Sequence, residues 1–139
     1  MRPPFRSRMR GGYLLFLELK KPRVLAVGRL GRRRFPAGLY VYAGSGLKGV
    51  ESRVKRHFSE KKTKRWHIDH LTAVAKTLDF IAFESERRIE CDLAASMQRL
   101  GGRHLVKGFG SSDCRCESHL IFLGGLKVAK IQNDRAWSA

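Results

Sequence analysis

The spacing of apolar residues changes several times along this chain, and each change marks an element. Residues 13–19, Tyr-Leu-Leu-Phe-Leu-Glu-Leu, are dense in strand formers, and Val24, Leu25, Ala26 and Val27 follow the Lys20-Lys21-Pro22 break. The two runs predict a β-hairpin. Residues 28–36, with Arg29, Arg32, Arg33 and Arg34, read as a basic loop. Leu39-Tyr40-Val41-Tyr42-Ala43 has the composition of a buried strand, closed by Gly44-Ser45-Gly46. The period then turns helical. Leu47, Val50, Val54 and Phe58 predict a helix over 48–58, and Ile68, Leu71, Val74, Ala75 and Leu78 a second one beginning at Trp66 or His67. A strand over 79–83 follows, then a third helix over 86–100 through Ile89, Leu93, Met97 and Leu100, ended by Gly101-Gly102. Residues 120–131, interrupted by Gly124-Gly125, predict a C-terminal hairpin. Hairpins mixed with helices, without strict βα alternation, predict an α+β fold: a small, mainly antiparallel sheet flanked by about three helices, with an added hairpin and a C-terminal hairpin.

A length of 139 residues suits one domain. It is expected over 11–139, behind a basic flexible arm over 1–10 that carries Arg2, Arg6, Arg8 and Arg10 with Pro3 and Pro4. Lys and Arg number 29 against 12 Asp and Glu, a formal charge of +17. A surface tuned for solubility or heat usually mixes both signs, so a single dominant sign points to a polyanionic partner, with nucleic acid the leading candidate. The expected phosphate contacts are Arg29, Arg32, Arg33, Arg34, Lys48, Lys55, Arg56, Lys61, Lys62, Lys64, Arg65 and His67. A membrane partner is not expected, because the chain has neither a long apolar span nor a basic amphipathic helix with aromatic anchors. The apolar run 13–17 is short, leads into Glu18, Lys20 and Lys21, and lacks a cleavage site for a leader. Three cysteines, an odd number, do not make a secreted disulfide framework, so a cytoplasmic protein is expected.

Candidate chemistry gathers around the strand ending at Ala43. At about 100° per residue, Arg53 and His57 lie some 40° apart on one helix and border the Val50-Val54 stripe. Both can therefore point over the strand that bears Tyr42. An arginine there can fork onto a phosphate and hold transition-state charge; a histidine can orient water or protonate a leaving oxygen. Glu90 falls at the margin of the third helix's stripe, and a single carboxylate suits Mg²⁺, which keeps several waters. Bland roles are open to each residue as well. Tyrosines fill sheet faces, arginines sit in solvent, a helix histidine can be satisfied locally, and a first-turn glutamate suits the helix dipole.

Gly11-Gly12-Tyr13 opens one strand and Tyr42-Ala43-Gly44 closes another. With them, in order, come Tyr40 to Ser45, Arg53-Val54-Lys55-Arg56-His57, Trp66-His67-Ile68-Asp69, Glu90-Cys91 and the run Gly108-Phe109-Gly110-Ser111-Ser112-Asp113-Cys114. The set resembles the GIY-YIG nuclease superfamily over roughly residues 11 to 123, in particular an archaeal and bacterial branch of GIY-YIG-like domains sometimes fused to DNA-repair glycosylases. The resemblance implies a divalent-metal-dependent endonuclease that hydrolyses phosphodiester bonds. Tyr42 or Tyr13 would be general base or water positioner, Arg53 and His57 would come from the helix, and Glu90 would bind Mg²⁺ or Mn²⁺. A free tyrosine titrates near pH 10, so this chemistry needs Arg53 and the metal to lower its pKa. The spacing from Tyr13 to Tyr42 exceeds the superfamily's usual one, and Asn133, the only asparagine, is not equated with the family's late asparagine. A non-catalytic nucleic-acid-binding or repair-accessory module on the same scaffold is the alternative.

Cys114, Cys116 and His119 form a C-x-C-x₂-H pattern, with Asp113, His104 and Cys91 as possible fourth ligands. Thiolate and imidazole suit Zn²⁺, although small buried residues in a glycine-rich loop also simply pack. Trp66-His67-Ile68-Asp69-His70 can line the site or hold an ion. In the plainer reading Trp66 packs, Asp69 favours the helix start and one histidine faces nucleic acid.

Overall fold

The computed structural model of the chain describes residues 9–59, 63–110 and 116–124. In chain order the elements are β1 (Gly11–Leu19), β2 (Arg23–Ala26), a 3-10 turn (Gly28–Leu30), β3 (Arg32–Phe35), β4 (Gly38–Gly46), α1 (Val50–Phe58), α2 (His67–Thr72), β5 (Lys76–Glu84), α3 (Glu90–Arg99) and β6 (Leu120–Phe122). Four strands form one antiparallel sheet in the order β5-β1-β4-β6, and β2 pairs with β3 in a separate ribbon. The α+β architecture expected from the pattern is the one observed.

The unbroken apolar run of β1 explains its central place, since a strand covered on both faces shows no polar alternation. Tyr13, Leu15, Leu17 and Leu19 share a cluster with Tyr40 and Tyr42 of β4, Val50 and Val54 of α1, and Ile68 and Leu71 of α2. On the other face, Leu14 and Phe16 join Val41, Ala43 and Ile121 against Ala94 and Met97 of α3. Each buried leucine of β1 contributes roughly 1.5–3 kcal/mol.

Four expectations need correction. Residues 23–27 do not form a hairpin with β1; β2 pairs with β3, from Arg23 opposite Phe35 to Ala26 opposite Arg32. β1 is nine residues long and pairs along its length with β4 and β5, each also of nine, whereas β2 has four and pairs with the four of β3. The supposed basic loop thus contains a strand, with Arg32, Arg33 and Arg34 in solvent and Phe35 as a buried anchor against Tyr40 and Phe109. The second helix stops at Thr72, and Leu78, placed on it by spacing, belongs to β5. Short apolar runs satisfy either period, and here pairing to β1 decides, through a register shift between Phe16 and Leu17. The third helix begins at Glu90, because Ser85 closes a turn on Arg87 first.

Of the expected arm, Met9 and Arg10 are joined to the fold by bonds from Val50 N–H and Ser85 N–H to their carbonyls; residues 1–8 lie outside the described residues. So does the second strand of the C-terminal hairpin, whose first strand is β6. Among the described residues no helix is long and apolar enough to cross a membrane.

Candidate active site

Two glycines allow the side chains of the site to meet. Gly44 lies opposite Tyr13 in the β1–β4 ladder, and a Cβ on it would stand 2.4 Å from the Tyr13 ring and hydroxyl. The bare backbone lets the ring lie across β4. Its hydroxyl then reaches Nε2 of His57 at 2.6 Å, and both residues are fully buried. Burial pushes the Tyr13 pKa well above its ordinary value, aided by Tyr42, while the Arg53 guanidinium opposes with its charge and a hydrogen bond. Tyr13 therefore keeps its proton, and its hydroxyl and the His57 ring are joined by the 2.6 Å hydrogen bond. Tyr42 stands on the same face, its ring centroid 6.4 Å from that of Tyr13 and 5.9 Å from that of His57.

Gly12 does the same on the opposite face, where a Cβ would meet Ile89 Cγ1 at 2.6 Å and Leu93 Cδ1 at 2.9 Å. The start of α3 can therefore press against β1, which carries Glu90 to the end of β4. There Ser45 donates its hydroxyl to Oε1 of Glu90, and Arg88 reaches Oε2 through Nε at 3.0 Å and a terminal nitrogen at 2.8 Å. Burial alone would raise the Glu90 pKa, but the bonds from Ser45 and its own backbone N–H, together with Arg88, more than offset it. The carboxylate is held below its ordinary range and stays ionised at neutral pH.

Asp69 organises the third wall. Its Oδ2 accepts from the backbone N–H groups of Arg65 at 2.8 Å and Trp66 at 2.9 Å and from Arg56 at 2.6 Å. Burial again acts upward on its pKa, and the two N–H groups and Arg56 outweigh it, leaving the carboxyl below its ordinary value. These bonds fix Trp66 at the start of α2, with the guanidinium carbons of Arg53 and Arg56 at 4.3 Å and 4.8 Å from its ring centre. The indole is thus a platform that orients two cations. His67 accepts from the Gly110 N–H through Nδ1 at 2.8 Å. Burial and the neighbouring His70 lower its pKa, so the ring is neutral at pH 7 and carries its proton on Nε2.

These walls enclose an open cleft of about 800 Å³. Of the expected catalytic residues, Tyr42, Arg53 and Glu90 line it, while Tyr13 and His57 form a buried pair behind Tyr42. Lys48, Arg56, Arg65 and His67 of the expected phosphate contacts also line it. Lys55 is exposed and paired with Glu51, Lys64 is exposed away from the lining, and Arg29, Arg32, Arg33 and Arg34 belong to the β2–β3 ribbon and its turn. Lys61 and Lys62 lie outside the described residues. Cys116 and His119 meet Cys91, all three ligand atoms lying within 4.8 Å of one another. Cys114 and Asp113 lie outside the described residues, and His104 is engaged elsewhere, by Gln98 at 2.6 Å and Glu117 at 2.5 Å.

Sequence reasoning missed Ser45, Arg88 and the stacking role of Trp66. A serine between two glycines at a strand end and an arginine two residues before Glu90 were the available signals, but only the approach of α3 to β4 gives them meaning. No curated protein and no solved structure matches the chain. A family model does match, over residues 12–136, so the chain belongs to the family described as Domain of unknown function DUF123.

Proposed function

We propose that this chain is a divalent-metal-dependent nuclease of the GIY-YIG type, hydrolysing phosphodiester bonds in DNA at the cleft between β4, α1 and α3. The observation that carries the reading is that Tyr42, Arg53 and Glu90, from three separate elements, line one open cleft together with Lys48, Arg56, Arg65 and Arg88. Among the described residues, five cations around one carboxylate suit a phosphate chain that meets a single metal-binding point.

Glu90 fits Mg²⁺ or Mn²⁺ in donor chemistry, as a hard, ionised oxygen donor on the cleft lining. When bound, such an ion polarises the phosphoryl oxygen and lowers the pKa of a coordinated water. The chain's own residues do the rest. Arg53, braced on Trp66, forks onto the scissile phosphate and holds the charge that grows in the transition state. Arg88, half exposed and bonded to Glu90, would exchange that bond for one to the substrate phosphate. Tyr42 is the tyrosine that reaches substrate and positions the attacking water. Tyr13, held protonated, and His57 instead form a rigid buried prop beneath Tyr42 and Arg53.

The test is cleavage of supercoiled, single-stranded and branched DNA, and of RNA, with Mg²⁺ or Mn²⁺. Cutting by the wild type, lost in Glu90→Gln and reduced about 10²–10³-fold in Arg53→Ala, is expected. The saturated hydrogen bonding of Glu90 by Ser45 and Arg88 favours a second reading, a binding module in which that carboxylate only braces the wall. A folded wild type that binds DNA and cuts nothing in the panel would select it.

A further inference from the structure

We propose that Cys91, Cys116 and His119 form a Zn²⁺ site that ties the start of α3 to the start of β6. Cys91 is the second residue of α3, His119 immediately precedes β6, and Cys116 comes from the connecting segment. Two sulfurs and one imidazole nitrogen thus converge from positions up to 28 residues apart.

The spacing matches a metal. With Zn–S at about 2.3 Å and Zn–N at about 2.0–2.1 Å, a tetrahedral site has S···N edges of about 3.6 Å and S···S edges of about 3.8 Å. Sγ of Cys91 stands 3.5 Å from Nε2 of His119, and all three donor atoms fit within 4.8 Å. The set is also selective by softness. Thiolates disfavour Mg²⁺ and Mn²⁺, which go to the carboxylate oxygens of Glu90, while Zn²⁺ prefers sulfur and imidazole.

Two of the donors stand on backbone fixed by the fold, Cys91 in α3 and His119 beside β4. The His119 N–H donates to the Phe109 carbonyl at 2.8 Å and its carbonyl accepts from Ala43 N–H at 2.9 Å, so the residue is clamped between a loop and β4. His119 is almost fully buried, yet it also forms part of the cleft wall. Cys91 follows Glu90 directly in the chain. A metal here therefore fixes the helix turn that presents Glu90, a structural role close to the cleft and chemically separate from it. The site holds whether or not the cleft cuts nucleic acid.

The test is elemental analysis of the full chain, expressed with zinc and purified under reducing conditions without chelator. About one equivalent of zinc is expected in the wild type and in Glu90→Gln, falling at least fivefold in Cys91→Ser, Cys116→Ser and His119→Ala. Since a variant can lose metal by unfolding, Co²⁺ substitution of the wild type gives a second measurement. Thiolate-to-cobalt charge transfer and intense tetrahedral d–d bands are expected. A wild type that takes up no zinc and gives no thiolate–cobalt bands would overturn the proposal, as would full zinc retention in Cys91→Ser. Loss of zinc in Glu90→Gln with the three-ligand variants unaffected would place the metal at the carboxylate and overturn it equally.

Discussion

Replacing Tyr13 by phenylalanine removes one buried oxygen and leaves the ring, so it deletes the hydroxyl's hydrogen bonds to His57 and Arg53 beneath the cleft. The hydroxyl lies 2.6 Å from Nε2 of His57, and His57 is 1% exposed. Both partners are buried, and a buried polar group left unsatisfied costs about 1–3 kcal/mol. Against a total stability of about 5–15 kcal/mol that is a large share. In a domain of this size it lowers Tm by about 3–5 °C per kcal/mol. Urea unfolding should show a lower midpoint with an unchanged m-value. The penalty should also depend on pH. Because burial raises the Tyr13 pKa, the folded chain holds this proton more tightly than the unfolded one. The Tyr13 contribution is thus complete below pH about 10 and falls as pH rises from there towards the folded pKa. The gap between wild type and Tyr13→Phe should therefore narrow at alkaline pH. A penalty under about 0.5 kcal/mol at pH 7, or one that widens above pH 10, would refute the buried, protonated Tyr13 hydroxyl.

Gly44→Ala sets a methyl 2.4 Å from the Tyr13 ring, and overpacking of this kind costs about 1–3 kcal/mol, read as a drop in thermal midpoint. Asp69→Asn weakens the carboxylate that takes bonds from Arg65, Trp66 and Arg56, with an expected loss of about 1–3 kcal/mol at neutral pH. The Asp69 pKa is lowered on folding, so its contribution is present above the unfolded pKa near 3.9 and fades as pH falls through the folded value. Acid titrations of stability should converge for wild type and Asp69→Asn. Nucleic-acid affinity should fall with salt, and Lys48→Ala or Arg65→Ala should each make the log–log slope shallower by about 1, whereas Arg33→Ala, away from the cleft lining, should change it less. Nitrogen NMR of His67 should report an unprotonated Nδ1 at pH 7, with titration below the ordinary histidine value; an Nδ1–H tautomer would contradict its bond from Gly110.

What could be read from residues alone was whatever depends on a residue and its near neighbours. The strong periodicities of α1 and α3 and the uninterrupted apolar run of β1 announced their elements, and Arg53 and Glu90 were legible as cleft residues because each sits at the edge of an apolar stripe. What stayed hidden depends on who pairs with whom. Val24 to Val27 and Leu78 suit more than one element, and only the strand pairing, β5 and β4 beside the long β1 and the short β2 against an arginine-rich strand, decides between them. The cations of that strand count towards the +17 but stand outside the cleft lining, so net charge overstated how many would gather there. Position was set by the smallest residues. Gly44 matters because the Tyr13 ring needs its space, and Gly12 because the first turn of α3 does. A glycine in a strand ordinarily weakens it, so two of them facing the side chains that build one cleft indicate stability given up for close approach. A sequence can display such glycines openly, yet their purpose becomes visible only when the ring or helix that fills the gap is known.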